Sequence, residues 1–195
     1  MAKISNVEVF GLERAFKTAK YPKAVDIKKL NSTLTPGIRA CLMCPTGQGH
    51  DNALKGIVVM FDLTLPIKAW VEAERYHFLD FVSSQSTMHK AASFDLEAQF
   101  NEYVDPVIEK RCIEIRDEYL ADKTADNYLR LLYNLPTGFE YTAGMVTNYQ
   151  QLKTIYQQRK NHQLPDWHIV CDWIETLPHS ELITGNPKWI KENGG

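Results

Sequence analysis

Ile57-Val58-Val59-Met60-Phe61-Asp62-Leu63-Thr64-Leu65, followed at once by Pro66, is the stretch on which the fold turns. It is rich in β-branched residues and apolar at both ends, which reads as a strand. Pro66 then opens a helix, because proline is favoured at a first helical position, with Thr64 or Leu65 as the preceding cap. From there Trp70, Val71, Glu74, His77, Phe78, Phe81 and Val82 recur at three- and four-residue spacings, which predicts that the helix runs on through them.

Upstream, residues 4–10 alternate well enough for a strand, and residues 36–44, after Thr35-Pro36-Gly37, read as a second. Downstream the pattern turns helical. Phe100, Val104, Ile108, Cys112, Ile115 and Tyr119 mark a helix over residues 98–121. Thr124 caps a short one ending before Pro136, Asn148 to about His162 forms another, and Pro165-Asp166 opens a last one with Trp167, Val170, Trp173, Ile174 and Leu177 as its stripe. Strands first and helices after give an α+β domain, with a loose tail from Pro178.

The whole chain fits one domain, residues 1–195. Its 22 Lys+Arg against 24 Asp+Glu leave a formal charge of −2, which excludes a bulk polyanion binder that works by neutralising phosphates. With 44% hydrophobic and 11% aromatic residues it is neither disordered nor fibrous. No apolar run approaches the ~20 residues that span a bilayer, and the start lacks a signal-peptide core, so a cytoplasmic setting without membrane contact is expected. Four cysteines are too few for a disulfide scaffold. Cys41-Leu-Met-Cys44 is half of a zinc motif with no second half, so packed thiols rather than a metal site are expected.

Three clusters hold polar chemistry. Gly47-Gln-Gly-His50-Asp51-Asn52 is a glycine-containing turn before the main strand; it reads as a surface turn or as a ligand-facing one. Arg75-Tyr76-His77 with the run Ser83 to Lys90 is dense in donors that suit a phosphate or a nucleotide, and equally resembles an ordinary hydroxyl-rich loop. Asn148 and Arg159 lie on nearly the same helical face, three turns apart, where Arg159 either meets a ligand or bonds the last carbonyls. No P-loop, nucleophile elbow or dinucleotide fingerprint occurs.

The order and spacing of these clusters resemble the flavin-dependent thymidylate synthases over roughly residues 45–177. In that family a Gly-His turn leads into a strand, and a proline opens a helix with an R-H-R-x7-S signature. Gly49-His50, Ile57-Val58, Phe61 and Pro66 follow the same order, and Arg75 stands nine residues after the proline. Tyr76 and His77 replace the second and third signature residues. Ser84-Gln85-Ser86-Thr87-Met88-His89 is similar to the family's N-E-x-S-x-R-Y with one residue inserted, Met88 falling where an arginine is expected. Leu135-Pro136, Thr147-Asn148, Leu152 and Arg159 resemble L-P…N-x-R-S-L…R, with Gln150 in place of an arginine. Pro165-Asp-Trp167-His-Ile169 is similar to A-Q-W-E-I with one insertion. Leu132 stands where another nucleotide-binding arginine is expected, so Arg130 is a near substitute.

The resemblance implies a homotetramer whose active sites combine residues of several subunits. It implies reductive methylation of dUMP, or a related C5 modification of a deoxyuridine monophosphate, with FAD as cofactor and NADPH and methylenetetrahydrofolate as co-substrates. It places His50, Asn52, Arg75, Tyr76, His77, Asn148 and His162 around the flavin. Gln85, Ser86, His89, Lys90, Arg130 and Arg159 fall around the nucleotide. No residue is singled out as catalytic. The changed signature leaves a second expectation, a non-catalytic nucleotide- or flavin-binding oligomer on the same fold.

Overall fold

The decisive strand forms where expected, as β2 (Val58–Pro66), in a computed structural model that describes residues 1–185. Its odd positions Val59, Phe61, Leu63 and Leu65 are buried, while Met60, Asp62 and Thr64 face the other way, as the two-residue period of a strand requires. β1 (Lys3–Phe10) lies antiparallel on one side, with a register irregularity between Ser5 and Glu8. Gly11 follows with φ 84°, and a Cβ there would stand 2.2 Å from the carbonyl oxygen of Gly56, so only glycine fits.

Downstream of Gly11 come α1 (Leu12–Thr18), α2 (Pro36–Leu42) and, after β2, α3 (Ile67–Ala73). Next are strand β3 (Asp80–Ser84), two single-turn helices α4 (Thr87–Lys90) and α5 (Leu96–Gln99), and the hairpin of α6 (Pro106–Ala121) and α7 (Ala125–Tyr133). Strand β4 (Glu140–Asn148) leads into α8 (Tyr149–Arg159), α9 (Pro165–Glu175) and α10 (Glu181–Thr184). The sheet order is β1-β2-β4-β3, and every neighbouring pair is antiparallel.

Several expectations are corrected. Residues 36–44 are not a strand: Thr35 Oγ1 accepts the Ile38 N–H and Pro36 sits in the first turn, so a capped helix forms. The helix after Pro66 ends at Ala73, with Pro66 as its cap and last strand residue. Phe81 and Val82, read as helical, belong to β3, where the open edge of β4 offers backbone partners and Phe81 packs on Trp70 at 4.7 Å. The helix expected over residues 98–121 is broken at Phe100–Asp105 and restarts at Pro106, whose cap is the Asp105 carboxylate. β4 interrupts the half expected to be mostly helical, so strands and helices alternate. Beyond Pro178 the chain is not loose at first, since Leu182 and Ile183 of α10 are buried; the rest of that expected tail, residues 186–195, lies outside the described residues.

Three expected helix starts agree with the structure. Thr124 caps α7, Asn148 caps α8 and Pro165 opens α9. α8 and α9 cover one face of the sheet, placing Leu152, Ile155, Trp167, Val170 and Ile174 in one core with Val59 and Phe61. A second cluster, with Leu96, Cys112, Ile115, Leu131 and Phe139, holds the α6–α7 hairpin. No described helix is long and apolar enough to cross a membrane.

Candidate functional site

Helix α8 carries a polar cluster at each end. At its start, Asn148 Oδ1 accepts the Gln151 N–H at 2.9 Å, satisfying one of the unpaired first-turn donors. Within the first turn, the Gln150 amide donates to Asp51 Oδ1 at 3.2 Å and Asn52 Oδ1 at 3.4 Å, which draws the turn before β2 onto the helix. Deeper, Lys153 Nζ donates to Asp51 Oδ2 at 3.0 Å and to the carbonyls of Leu42 and Cys44 at 3.1 and 2.5 Å. Gly47 and Gly49, at φ 94° and 78°, give the turn its left-handed residues. His50, one residue before the anchored carboxylate, is exposed. Together with Asn52 it edges a cavity of about 890 Å³ between residues 18–31, α2 and this turn.

At the other end, Arg159 is buried under aromatic rings. Its Nε donates to the Tyr76 hydroxyl at 2.7 Å and its Nη1 to Glu72 Oε2 at 3.1 Å. The guanidinium lies 4.6 Å from the Trp167 ring and 5.5 Å from that of Tyr76. Trp167 Nε1 donates to the same Glu72 oxygen at 3.0 Å, Lys68 binds the other at 2.9 Å, and His162 Nε2 stands 3.4 Å away. Burial by itself raises the Glu72 carboxyl. The hydrogen bonds from Lys68 and Trp167 and the charges of Lys68 and His162 outweigh it, so the group sits below the usual carboxylate value. Burial holds the His162 imidazole below its ordinary value despite the attraction of Glu72, with Arg159 and Lys68 acting in the same direction as burial. Burial likewise raises the Tyr76 phenol, against the Arg159 bond.

The expected site residues therefore fall into separate groups. Asn52 is tied to the start of α8 by Gln150, with His50 on the same turn and Asn148 as the helix cap; Tyr76, Arg159 and His162 gather at its end. With 11 residues in the helix, the groups are about 16 Å apart along its axis. Arg75 and His77 are exposed on either side of buried Tyr76. Gln85 pairs with the β4 edge through two bonds to the Thr142 backbone, both 2.9 Å. The Ser86 carbonyl accepts the His89 and Lys90 N–H groups, and His89 edges a cavity of about 330 Å³ with Tyr119 and Lys123. Arg130 is bound to Glu118 in an exposed ion-pair group on the α6–α7 hairpin. Glu72, Lys153 and Gln150 organise the two ends of α8 and were not signalled as site residues by the sequence. Of these contacts only Lys68–Glu72, at i and i+4 on α3, has a spacing that gives it away. No group of metal-ligating side chains occurs among the described residues, and all four cysteines are free thiols.

No known family's sequence profile matches the chain, and no curated protein does either. Solved structures do. The thymidylate synthase X of Helicobacter pylori, crystallised with FAD and dUMP, superposes with a TM-score of 0.70 at 12% identity, covering 94% of this chain and 97% of its own. The UMP/dUMP methylase PolB of Streptomyces cacaoi, bound with 5-Br dUMP, gives 0.67 at 14% identity over 95% of both chains. At such identities the likeness is one of architecture. The α+β fold of this chain is the one shared by a flavin-dependent thymidylate synthase and a pyrimidine-nucleotide methylase.

Proposed function

We propose that the protein is a flavin-dependent enzyme that modifies C5 of a pyrimidine nucleoside monophosphate, with reductive methylation of dUMP as its reaction. The observation that carries this reading is the anchored His50–Asn52 turn beside a ligand-sized cavity, on the fold of proteins crystallised with FAD and with dUMP or its bromo analogue. The cavity has apolar walls and cationic groups and no acidic ones, which fits a flavin dinucleotide. His50, Asn52 and Asn148 would hold it. When bound and reduced, FAD supplies the hydride that turns a transferred methylene unit into a methyl group; NADPH and methylenetetrahydrofolate are the co-substrates.

The protein's own part is positioning and charge. Asn148 caps α8, Gln150 ties the turn to that helix, and Lys153 fixes it from beneath. Exposed Lys90 and Arg75, with half-buried Ser86, supply the donors for a nucleotide phosphate. Arg159 and Tyr76 are committed to Glu72 and Trp167, so they act as a frame that sets α3 against α8 and α9. A homotetramer that brings one subunit's start of α8 to another's 85–90 loop completes the site.

An absorption spectrum of the purified protein tests the flavin, and restored growth of a thymidylate-synthase-deficient strain without thymidine tests the reaction. One observation favours the second reading, a non-catalytic binder: Tyr76 and exposed Met88 stand where the resemblance expects a histidine and an arginine that contact ligand. Flavin and dUMP binding without complementation would support it.

A further inference from the structure

The cavity beside His50 has one-sided electrostatics. Three of the residues that line it are lysines, Lys20, Lys23 and Lys29; His50 lines it too, and none is an aspartate or glutamate. In a chain with more acidic than basic residues this is a local reversal of charge. Lys20 is fixed, its ammonium bound to the Asn31 carbonyl at 3.0 Å and to Asn31 Oδ1 at 2.7 Å. Lys23 and Lys29 are exposed and form no ion pair among the described residues. Each stands in a short helical turn, Tyr21–Lys23 and Ile27–Lys29, so the backbone holds them on the cavity side. Leu30, Ile38 and Ala53 form an apolar wall on the same cavity.

We propose that Lys20, Lys23 and Lys29 bind the diphosphate of a dinucleotide or nucleoside diphosphate whose aromatic ring lies on the Leu30–Ile38 wall, beside Asn52 and His50. Cations concentrated on one wall attract a polyanion and release its counter-ions, while the apolar wall takes the ring. The inference rests on the flavin reading above and adds to it. The 20–29 segment supplies positive charge in place of the signature arginine that His77 replaces.

The full-length protein is titrated with FAD, by quenching of flavin fluorescence, and separately with ADP, by calorimetry. The variant is Lys23→Glu/Lys29→Glu. Circular dichroism and melting temperature confirm its fold, and Lys23→Gln/Lys29→Gln serves as a milder second variant. The expected result is Kd raised about tenfold or more for both ligands in the reversal variant, less in the glutamine one. The salt dependence of binding should be shallower in both, with riboflavin, which has no phosphate, bound equally by all three proteins. Unchanged FAD and ADP affinity in the variants overturns the lysine site while leaving a flavin protein. Lysine-dependent ADP binding without FAD binding sustains the lysine site and overturns the flavin reading. If the wild type binds neither ligand, both fall.

Discussion

Lys153 and Asp51 form an ion pair at 3.0 Å with side chains 2% and 1% exposed, and this pair fastens helix α8 to the turn that carries His50. Removing the carboxylate leaves the buried Lys153 ammonium with two backbone carbonyls and no counter-charge. Asp51→Asn is therefore expected to cost about 3–5 kcal/mol. Urea denaturation measures it, and a loss below about 1 kcal/mol would show that the pair does not hold the turn.

Arg159→Ala removes a guanidinium that bonds Tyr76 and Glu72 and covers Trp167. The expected loss is about 2–4 kcal/mol, from the lost bonds to Glu72 and Tyr76 and the lost packing on Trp167. Arg159→Lys keeps the charge but not the planar stacking and recovers only part. Equal unfolding midpoints for wild type and alanine variant would reject the framing role.

Acid should weaken the protein in two stages. His162 is held below its ordinary value in the folded state by burial, so its contribution is present above about pH 6.5, the unfolded value, and is lost as pH falls below it. Glu72 is also depressed, so its contribution is present above about pH 4.3 and lost as pH falls through the lower folded value. His162→Gln should flatten the first stage, leaving the share of His179, which burial and Arg39 depress in the same direction. Glu72→Gln should flatten the second. Urea midpoints at several pH values decide, and an undiminished first stage in His162→Gln would refute the assignment.

Lys90 is exposed at the end of α4, beside the Ser86 turn. Lys90→Ala is expected to raise the dUMP dissociation constant about tenfold, the worth of one charge-assisted contact, with the melting temperature unchanged. Calorimetric titration checks it. Equal affinities would move the phosphate elsewhere.

β3 is an exposed edge strand whose Phe81 and Val82 are 46% and 61% exposed, a surface that ordinarily needs cover. Light scattering is expected to give four times the chain mass for the wild type, and Val82→Glu to lower it. A monomeric wild type would contradict the tetramer.

The sequence made the frame legible where local chemistry and burial agree. β2 alternates cleanly, Thr124, Asn148 and Pro165 are strong start signals, and the stripe of α9 is core. It misled where long-range pairing decides. Phe81 and Val82 suit either period, and only the open edge of β4 makes them a strand. Pro36 and Pro106 carried helix-start information that the apolar spacing obscured. The site was legible as residue types in order; its partition was not. Tyr76 and Glu72 lie 83 and 87 residues from Arg159 in sequence, so nothing local reveals that they close around it with Trp167.

Helix α8 acts as a ruler. The His50 turn is gauged from its first residues and the Arg159 cluster from its last. Adding one residue between Leu152 and Tyr156 would turn everything beyond it by about 100° and advance it about 1.5 Å. Arg159 would swing off the Trp167 ring while Asn148 and Gln150 kept their places. Substitutions within α8 act one residue at a time, but an insertion or deletion there decouples both clusters at once, so the length of this helix is the quantity least free to change.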